Sequence, residues 1–427
     1  MRLVGVGRRK PRGLRGVEST SNRHPPAQPR RAAAGGDGKT PPVLTSDSRI
    51  LTTHAGSLPR PAALAELHGR RSRGELVDAE ELQQAVELAT AAVIVAQLEA
   101  GIDIGNDGEQ ARESFFTYVQ HRMTGFGGTS QRPFMRDLVD HPDFIELALP
   151  RLQRMKVNLM AAPAAIGDVA YRDTSELDAE CALVADAPFT QTFMTSCSPG
   201  IVVAAMENRH YASRTDYVRA VAGALSTEYR AIVERGLLLQ IDAPDLAMER
   251  HTLFADRPLR EFLDWVELVV DAINVALDGI DPAAVRLHVC WGNYEGPHNL
   301  DVALEEIQPL LYEAKVGALV ISMANARHAH EFRCFARRPL PDHMALVAGV
   351  IDTTSNYVEH PEVVADRLAQ VVEAVGDPTR VIAGTDCGFD TSAGLGDVAP
   401  SVVWEKLRAL REGADLASRR LFPHVGE

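Results

Sequence analysis

The chain has 427 residues, 45% hydrophobic and 24% charged, with a formal net charge of −14 and a mean hydropathy of −0.10. That is ample apolar material for a large core, and the negative charge argues against nucleic acid or an anionic membrane as the main partner. No apolar stretch reaches the roughly 18 residues that a membrane span needs, so none is expected.

The first 43 residues carry ten Lys or Arg, among them Arg8, Arg9, Lys10, Arg30 and Arg31, against only Glu18 and Asp37. They are rich in Pro, Gly and Ala and lack apolar periodicity, so residues 1–45 are expected to be a disordered basic extension. Pro11, Pro25, Pro26 and Pro29 interrupt any amphipathic targeting helix, and no apolar core of a secretory signal follows. Cys181, Cys197, Cys290, Cys334 and Cys387 are odd in number and form no CxxC pair. That usage points to a reducing cytoplasm, with thiols free or ligating a metal.

From residue 46 onward, short β-branched runs alternate with helical patterns. The expected strands are Ile50–Thr53, Ile102–Gly105, Phe189–Met194, Leu237–Ile241, Val285–Cys290, Ala318–Met323, Met344–Val350 and Val381–Ala383. Between them, Asp78–Ala100 reads as a helix capped by Asp78, with Leu82, Val86, Ala89, Val93 and Ala96 on one face. Tyr217–Arg235, Leu259–Leu277, Val302–Glu313 and Pro361–Val375 read similarly, and Asn158–Tyr171 looks like a hairpin outside the alternation. Eight strands alternating with helices, no dividing linker and no GxGxxG after the first strand favour a single (β/α)8 TIM barrel over residues 46–427.

In such a barrel the chemistry sits where strands end. His54 and Ser57, Asp107 and Glu109, Asp242, His288 and Cys290, Asn325 to His330, and Asp386 and Cys387 all fall at those places. His288 and Cys290 are two apart, so both point inward from one strand while Val289 packs outward. Cys387 sits at the mouth of the last strand, and barrel closure brings it to the same cavity. One imidazole and two thiolates with an open fourth position suit a catalytic zinc ion.

These motifs, namely Thr52-Thr53-His54-Ala55-Gly56-Ser57-Leu58-Pro59-Arg60, Asp107-Gly108-Glu109, Gln240-Ile241-Asp242-Ala243-Pro244, His288-Val289-Cys290 and Asp386-Cys387-Gly388, carry a resemblance. Over roughly residues 50–405 the chain resembles the C-terminal barrel of cobalamin-independent methionine synthase and its relative epoxyalkane:coenzyme M transferase. The resemblance implies Zn2+ held by His288, Cys290 and Cys387, with Cys181, Cys197 and Cys334 as packing thiols. It implies that Ser57, Glu109 and Asp242 hold an aminothiol such as homocysteine, with Asp242 in a catalytic role. Arg112 and Arg60 are candidates for an acidic group on the substrate, although Arg112 is also a candidate buried partner for Glu109 and Asp242. The implied partners are a small thiol and an alkyl donor, either a methyl donor or an epoxide; the oligomeric state is left open.

The pattern breaks at two places. Where the family carries a glutamate zinc ligand after the sixth strand, this chain has Ala324 or Ser322, with His328, His330 and Glu331 nearby as substitutes. Where the family carries a histidine general acid after the seventh, it has Thr354. The family's second, N-terminal barrel is also missing, which puts a folate donor in doubt. Methyl transfer to homocysteine is therefore the first expectation. Thiol addition to an epoxide, or the reverse elimination, is the second, and a non-catalytic metal-binding barrel the third.

Overall fold

The computed structural model describes residues 42–422 except 154, 158, 160 and 161. The basic extension up to residue 41 therefore lies outside the described residues.

The β-branched runs become strands β1 (Ile104–Gly105), β4 (Gln191–Cys197), β5 (Leu238–Asp242), β6 (Val285–Val289), β7 (Ala318–Ser322), β8 (Ala345–Ile351) and β9 (Val381–Thr385). Two further strands, β2 (Met123–Gly127) and β3 (Ala164–Tyr171), pair separately and antiparallel. The seven form one parallel sheet in the order β1-β4-β5-β6-β7-β8-β9. Every residue of β5 to β9 is buried, as expected of strands with a packed lumen on one face and helices on the other.

The first expected strand, Ile50–Thr53, is not a full strand. It is a bridge, with Thr52 pairing with Ala383 of β9 and Thr53 with Ile104 of β1. That short segment joins the two edges of the sheet, so the ring of eight closes and no edge is left unpaired. Ile104, Phe193, Leu238, Val320, Val347 and Ile382 fill the lumen. Val43 seals it from below, its N–H donating to the Ala283 carbonyl at 2.7 Å. The packed structure therefore begins before residue 45, inside the stretch expected to be tail, because Val43 buries apolar surface there.

The excursion expected at Asn158–Tyr171 is half a hairpin. Its strand β3 pairs with β2, and the chain between them carries the helices Arg136–Val139 and Pro142–Leu152. The helix Ala79–Glu99 is capped by Asp78, which accepts from the N–H groups of Glu80 and Glu81. Pro361–Val375 matches its expected span and stops at Gly376, whose φ of 84° only glycine adopts without strain. A last helix, Pro400–Leu421, packs on it, buries Val403, Leu407, Leu410 and Ala414, and has no counterpart in the sequence reading. Among the described residues no helix is long and apolar enough to cross a membrane.

Candidate metal centre

Parallel register sets the site. Asp242, the last residue of β5, stands opposite His288 of β6. Strand alternation turns His288 into the ring, β6 ends at Val289, and Cys290 follows on the same side. Cys387 comes two residues after β9. The ligand atoms of His288, Cys290 and Cys387 all lie within 4.8 Å of one another, and all three residues are buried.

These atoms fit a metal ion. The two sulfurs are 3.9 Å apart, and two thiolates on a tetrahedral zinc at about 2.3 Å each stand about 3.8 Å apart. His288 Nδ1 lies 3.3 Å from the Val320 carbonyl, while its buried Nε2 has no hydrogen-bond partner. A proton fixed on Nδ1 by a backbone acceptor leaves the other nitrogen's lone pair for a metal. The hydrogen bond from Cys387 holds the Cys290 thiol well below its ordinary value against the opposing effect of burial, with His288 and the Gly292 N–H helping. Cys387, the other half of the pair, is pushed correspondingly up. Two adjacent sulfurs thus share a proton, and a cation is what releases both as thiolates.

Beside them stand two carboxyl groups. Burial is the largest cause raising Asp242 to about 6, opposed by His288 and by the Gln240 amide that donates to it at 2.7 Å. Glu109 is pushed to about 8, first by burial and then by the Asp242 charge. One Glu109 oxygen accepts from Thr195 Oγ1 at 3.1 Å, and the other is buried without a partner. Glu109 has a φ of 56°, rare outside glycine. That backbone costs on the order of 1–3 kcal/mol and is kept where surrounding structure over-determines it. Ser57 is buried against the Cys387 loop, its carbonyl accepting from Phe389 N–H at 2.8 Å. A Cβ on Gly388 would sit 2.0 Å from Ser57 Oγ, so only glycine lets that loop approach.

Arg112 is not where a substrate contact would put it. It does not line the cavity, and its guanidinium bonds Glu180 at 2.9 Å, the Thr195 carbonyl at 2.8 Å and Thr195 Oγ1 at 3.0 Å. It partners neither Glu109 nor Asp242; it steadies the threonine that holds Glu109. Arg60 is likewise committed, to Asp390 and to the Glu109 carbonyl at 2.8 Å.

The loop after β7 brings no fourth ligand. Asp386 folds it down by accepting from the N–H groups of Met323, Ala324 and Asn325, each at 2.8 Å. His328 donates to Asp301 at 2.8 Å and stacks on Trp291. The Glu331 carboxylate accepts from the Leu304 N–H at 3.2 Å, and His330 is exposed. The Thr354 hydroxyl bonds Asp352 at 2.8 Å and does not reach the cavity. Asn293, which the sequence reading missed, lines the cavity, donating to the Gly388 carbonyl and accepting from Thr353, both at 2.8 Å. Its only signal was its place three residues after Cys290. Cys181 and Cys334 stand apart from the centre, raised by burial to about 12 and about 11.

A second group, His298, Asp301 and His328, also has its ligand atoms within 4.8 Å of one another. Asp301 Oδ2 lies 2.9 Å from His298 Nδ1 and 2.8 Å from His328 Nε2, while Oδ1 lies 2.9 Å from His251 Nδ1.

The family model described as "Cobalamin-independent synthase, Catalytic domain" matches residues 50–141 and 151–402. A methionine synthase of Sulfolobus acidocaldarius is 26% identical over 81% of this chain and 88% of its own length. One of Saccharolobus islandicus is 25% identical over 87% of this chain and 96% of its own. The solved B12-independent methionine synthase of Shewanella sp. W3-18-1, in complex with selenomethionine, superposes with a TM-score of 0.67 at 21% identity, covering 88% of this chain and 99% of its own. With the closed barrel and the strand-end residues already in place, a match over most of its length means that the chain belongs to the cobalamin-independent methionine synthase catalytic-domain family.

Proposed function

We propose that this protein is a zinc-dependent methyltransferase that alkylates the sulfur of homocysteine or a closely similar aminothiol. The observation that carries the reading is the juxtaposition of His288, Cys290 and Cys387 with the Glu109–Asp242 pair in one cavity. His288, Cys290 and Cys387 would hold the zinc ion, which would supply the Lewis acidity that makes a substrate thiol an anion at neutral pH. Asp242, ionised at neutral pH, accepts the thiol proton and passes it on to solvent, so that it is a carboxylate again beside the bound ammonium. The sulfur then gives its electron pair to the methyl carbon, and the bond from that carbon to the donor breaks with its pair leaving on the donor.

Glu109 and Asp242 bind the ammonium group. Glu109 holds a proton at neutral pH when no cation is near; an arriving ammonium stabilises its charged form, and that proton leaves to solvent. A thiol with a sulfonate tail brings no cation and meets the Asp242 carboxylate instead, so coenzyme M chemistry has no supporting observation. The five free cysteines fit a reducing cytoplasm.

The test is homocysteine binding to zinc-loaded wild type and Asp242→Asn by calorimetry, with methionine formation followed by mass spectrometry. Loss of one charge-assisted hydrogen bond, about 1.5–3 kcal/mol, weakens binding about tenfold or more, with zinc content unchanged. Equal affinity in the two proteins would overturn the assignment of the pair.

A further inference from the structure

A buried chain of polar side chains runs from the outer helices to Glu109. Glu180, on the helix Ser175–Val184, accepts from Arg112 Nη2 at 2.9 Å and from its Nε at 3.2 Å, and pairs with Arg122 as well. Arg122 lies 3.3 Å from Glu228, and the Tyr118 ring packs against both guanidinium groups, 4.5 and 4.7 Å from its centre. Two arginines thus face two glutamates, and the charge of Arg112 is balanced behind the cavity rather than in it.

What reaches Glu109 is a neutral group. Arg112 Nη1 donates to Thr195 Oγ1 at 3.0 Å and to the Thr195 carbonyl at 2.8 Å, and Thr195 Oγ1 donates to Glu109 Oε1 at 3.1 Å. A guanidinium only donates, and a hydroxyl has one proton to give. Thr195 therefore accepts from Arg112, and its own proton goes to Oε1. That leaves Oε2, buried and without a partner, as the oxygen for a substrate cation. Packing holds the threonine in place, since a Cβ on Gly56 would stand 2.8 Å from both Thr195 Cγ2 and Glu109 Oε1. Asp242 is held in the same manner, by the neutral Gln240 amide on Oδ1. A direct Arg112–Glu109 ion pair would instead cancel the negative charge that an ammonium group needs.

We propose that Thr195 is the positioning residue of the ammonium subsite. Locked by Arg112, it holds Glu109 by Oε1, keeps Oε2 for the substrate, and so sets a preference for thiols that carry an amino group. This rests on the aminothiol reading above and adds the residue that selects for the amine.

The experiment is calorimetry on zinc-loaded full-length protein with homocysteine and with 4-mercaptobutanoate, the same chain without its amino group. Thr195→Val keeps the side-chain volume and removes the hydroxyl, Thr195→Ala removes it without crowding, and Thr195→Ser retains it. Wild type prefers homocysteine by about tenfold or more, the size of one charge-assisted hydrogen bond. Thr195→Val and Thr195→Ala each weaken homocysteine binding about tenfold and leave 4-mercaptobutanoate within about twofold of wild type. Thr195→Ser binds both thiols as wild type does, and zinc content is unchanged in all three. Unchanged homocysteine affinity in Thr195→Val and Thr195→Ala overturns the proposal and leaves the aminothiol reading standing. Equal losses for both thiols also overturn it, because Thr195 would then only shape the wall, as does a Thr195→Ser protein as weak as Thr195→Val. If wild type itself binds the two thiols equally, the aminothiol reading falls and the proposal falls with it.

Discussion

Two clusters in this protein bring metal-ligating side chains equally close together, yet their protons separate them. At His288, Cys290 and Cys387 the buried Nε2 has no partner and two sulfurs share a proton, so lone pairs converge on one point. At Asp301 the imidazoles are tied to a carboxylate. His298 turns Nδ1 to Asp301 and Nε2 to the Tyr294 carbonyl at 3.0 Å. His328 turns Nε2 to Asp301 and has Nδ1 3.6 Å from Glu331. Both nitrogens of His298 face oxygen acceptors within hydrogen-bond reach, whereas His328 gives Nε2 to Asp301 and its buried Nδ1 has no hydrogen-bond partner. This group is therefore organised around the Asp301 carboxylate rather than around converging lone pairs. The first cluster fits the metal proposed above; the second is an ionic strut that braces the Trp291–Asp301 loop behind the cavity wall. Proximity alone does not define a metal site; what the ligand atoms already bond to matters as well.

The sharpest way to break this comparison is to remove one ligand from each cluster. Cys387→Ser is expected to abolish zinc binding and activity, with little change in melting temperature, because the site is not the core. Full zinc retention, measured by elemental analysis of the purified protein, would sink the assignment. Asp301→Asn is expected to do the opposite. It leaves zinc content unchanged and destabilises the fold by about 3–5 kcal/mol, the usual result of removing one partner from a buried ion pair. Loss of zinc in that variant, with urea unfolding unaltered, would reverse the two roles.

The smallest effect is in pH, and its sign differs between the clusters. Burial opposes ionisation of Asp301, but His251, His298 and His328 together hold its carboxyl well below the ordinary range. Its contribution is therefore present above about pH 3.9 and lost as pH falls through the lowered value. Burial disfavours charge on His298 and His328, yet Asp301 raises both. Their contribution is complete below about pH 6.5 and lost as pH rises through the raised values. The stability gap between wild type and Asp301→Asn should then be wider at pH 5.5 than at pH 8.5. Zinc occupancy should run the other way, since thiolate and neutral imidazole ligands are lost to protons in acid. Denaturant midpoints and metal content at the two pH values read both trends.

Much of this was legible from residue order. Strand-period runs marked β4 to β9, Asp78 and Gly376 marked helix ends, and the two-residue spacing of His288 and Cys290 placed both on one face. The stripe of Val403, Leu407, Leu410 and Ala414 was equally legible at helical spacing and was passed over. What stayed hidden depends on distance through space. Ile50–Thr53 looks like a strand, but the ring needs only a bridge there, because closure requires contact with β1 and β9 and no more. Strand β3 finds its partner β2 across two intervening helices, which no local period announces. Arg112 looked as suited to substrate as to Glu109, until Glu180 claimed it.

By itself, then, the order of residues determined the alternation of strands and helices and which side chains stand at strand ends, since both follow from periodicities of two and 3.6 along the backbone. Only the tertiary structure decided which of those side chains are neutralised and which remain open for ligands. Charge pairing and proton placement fall off over a few ångströms, and those ångströms are set by ring closure between segments more than 300 residues apart, such as Thr52 and Ala383.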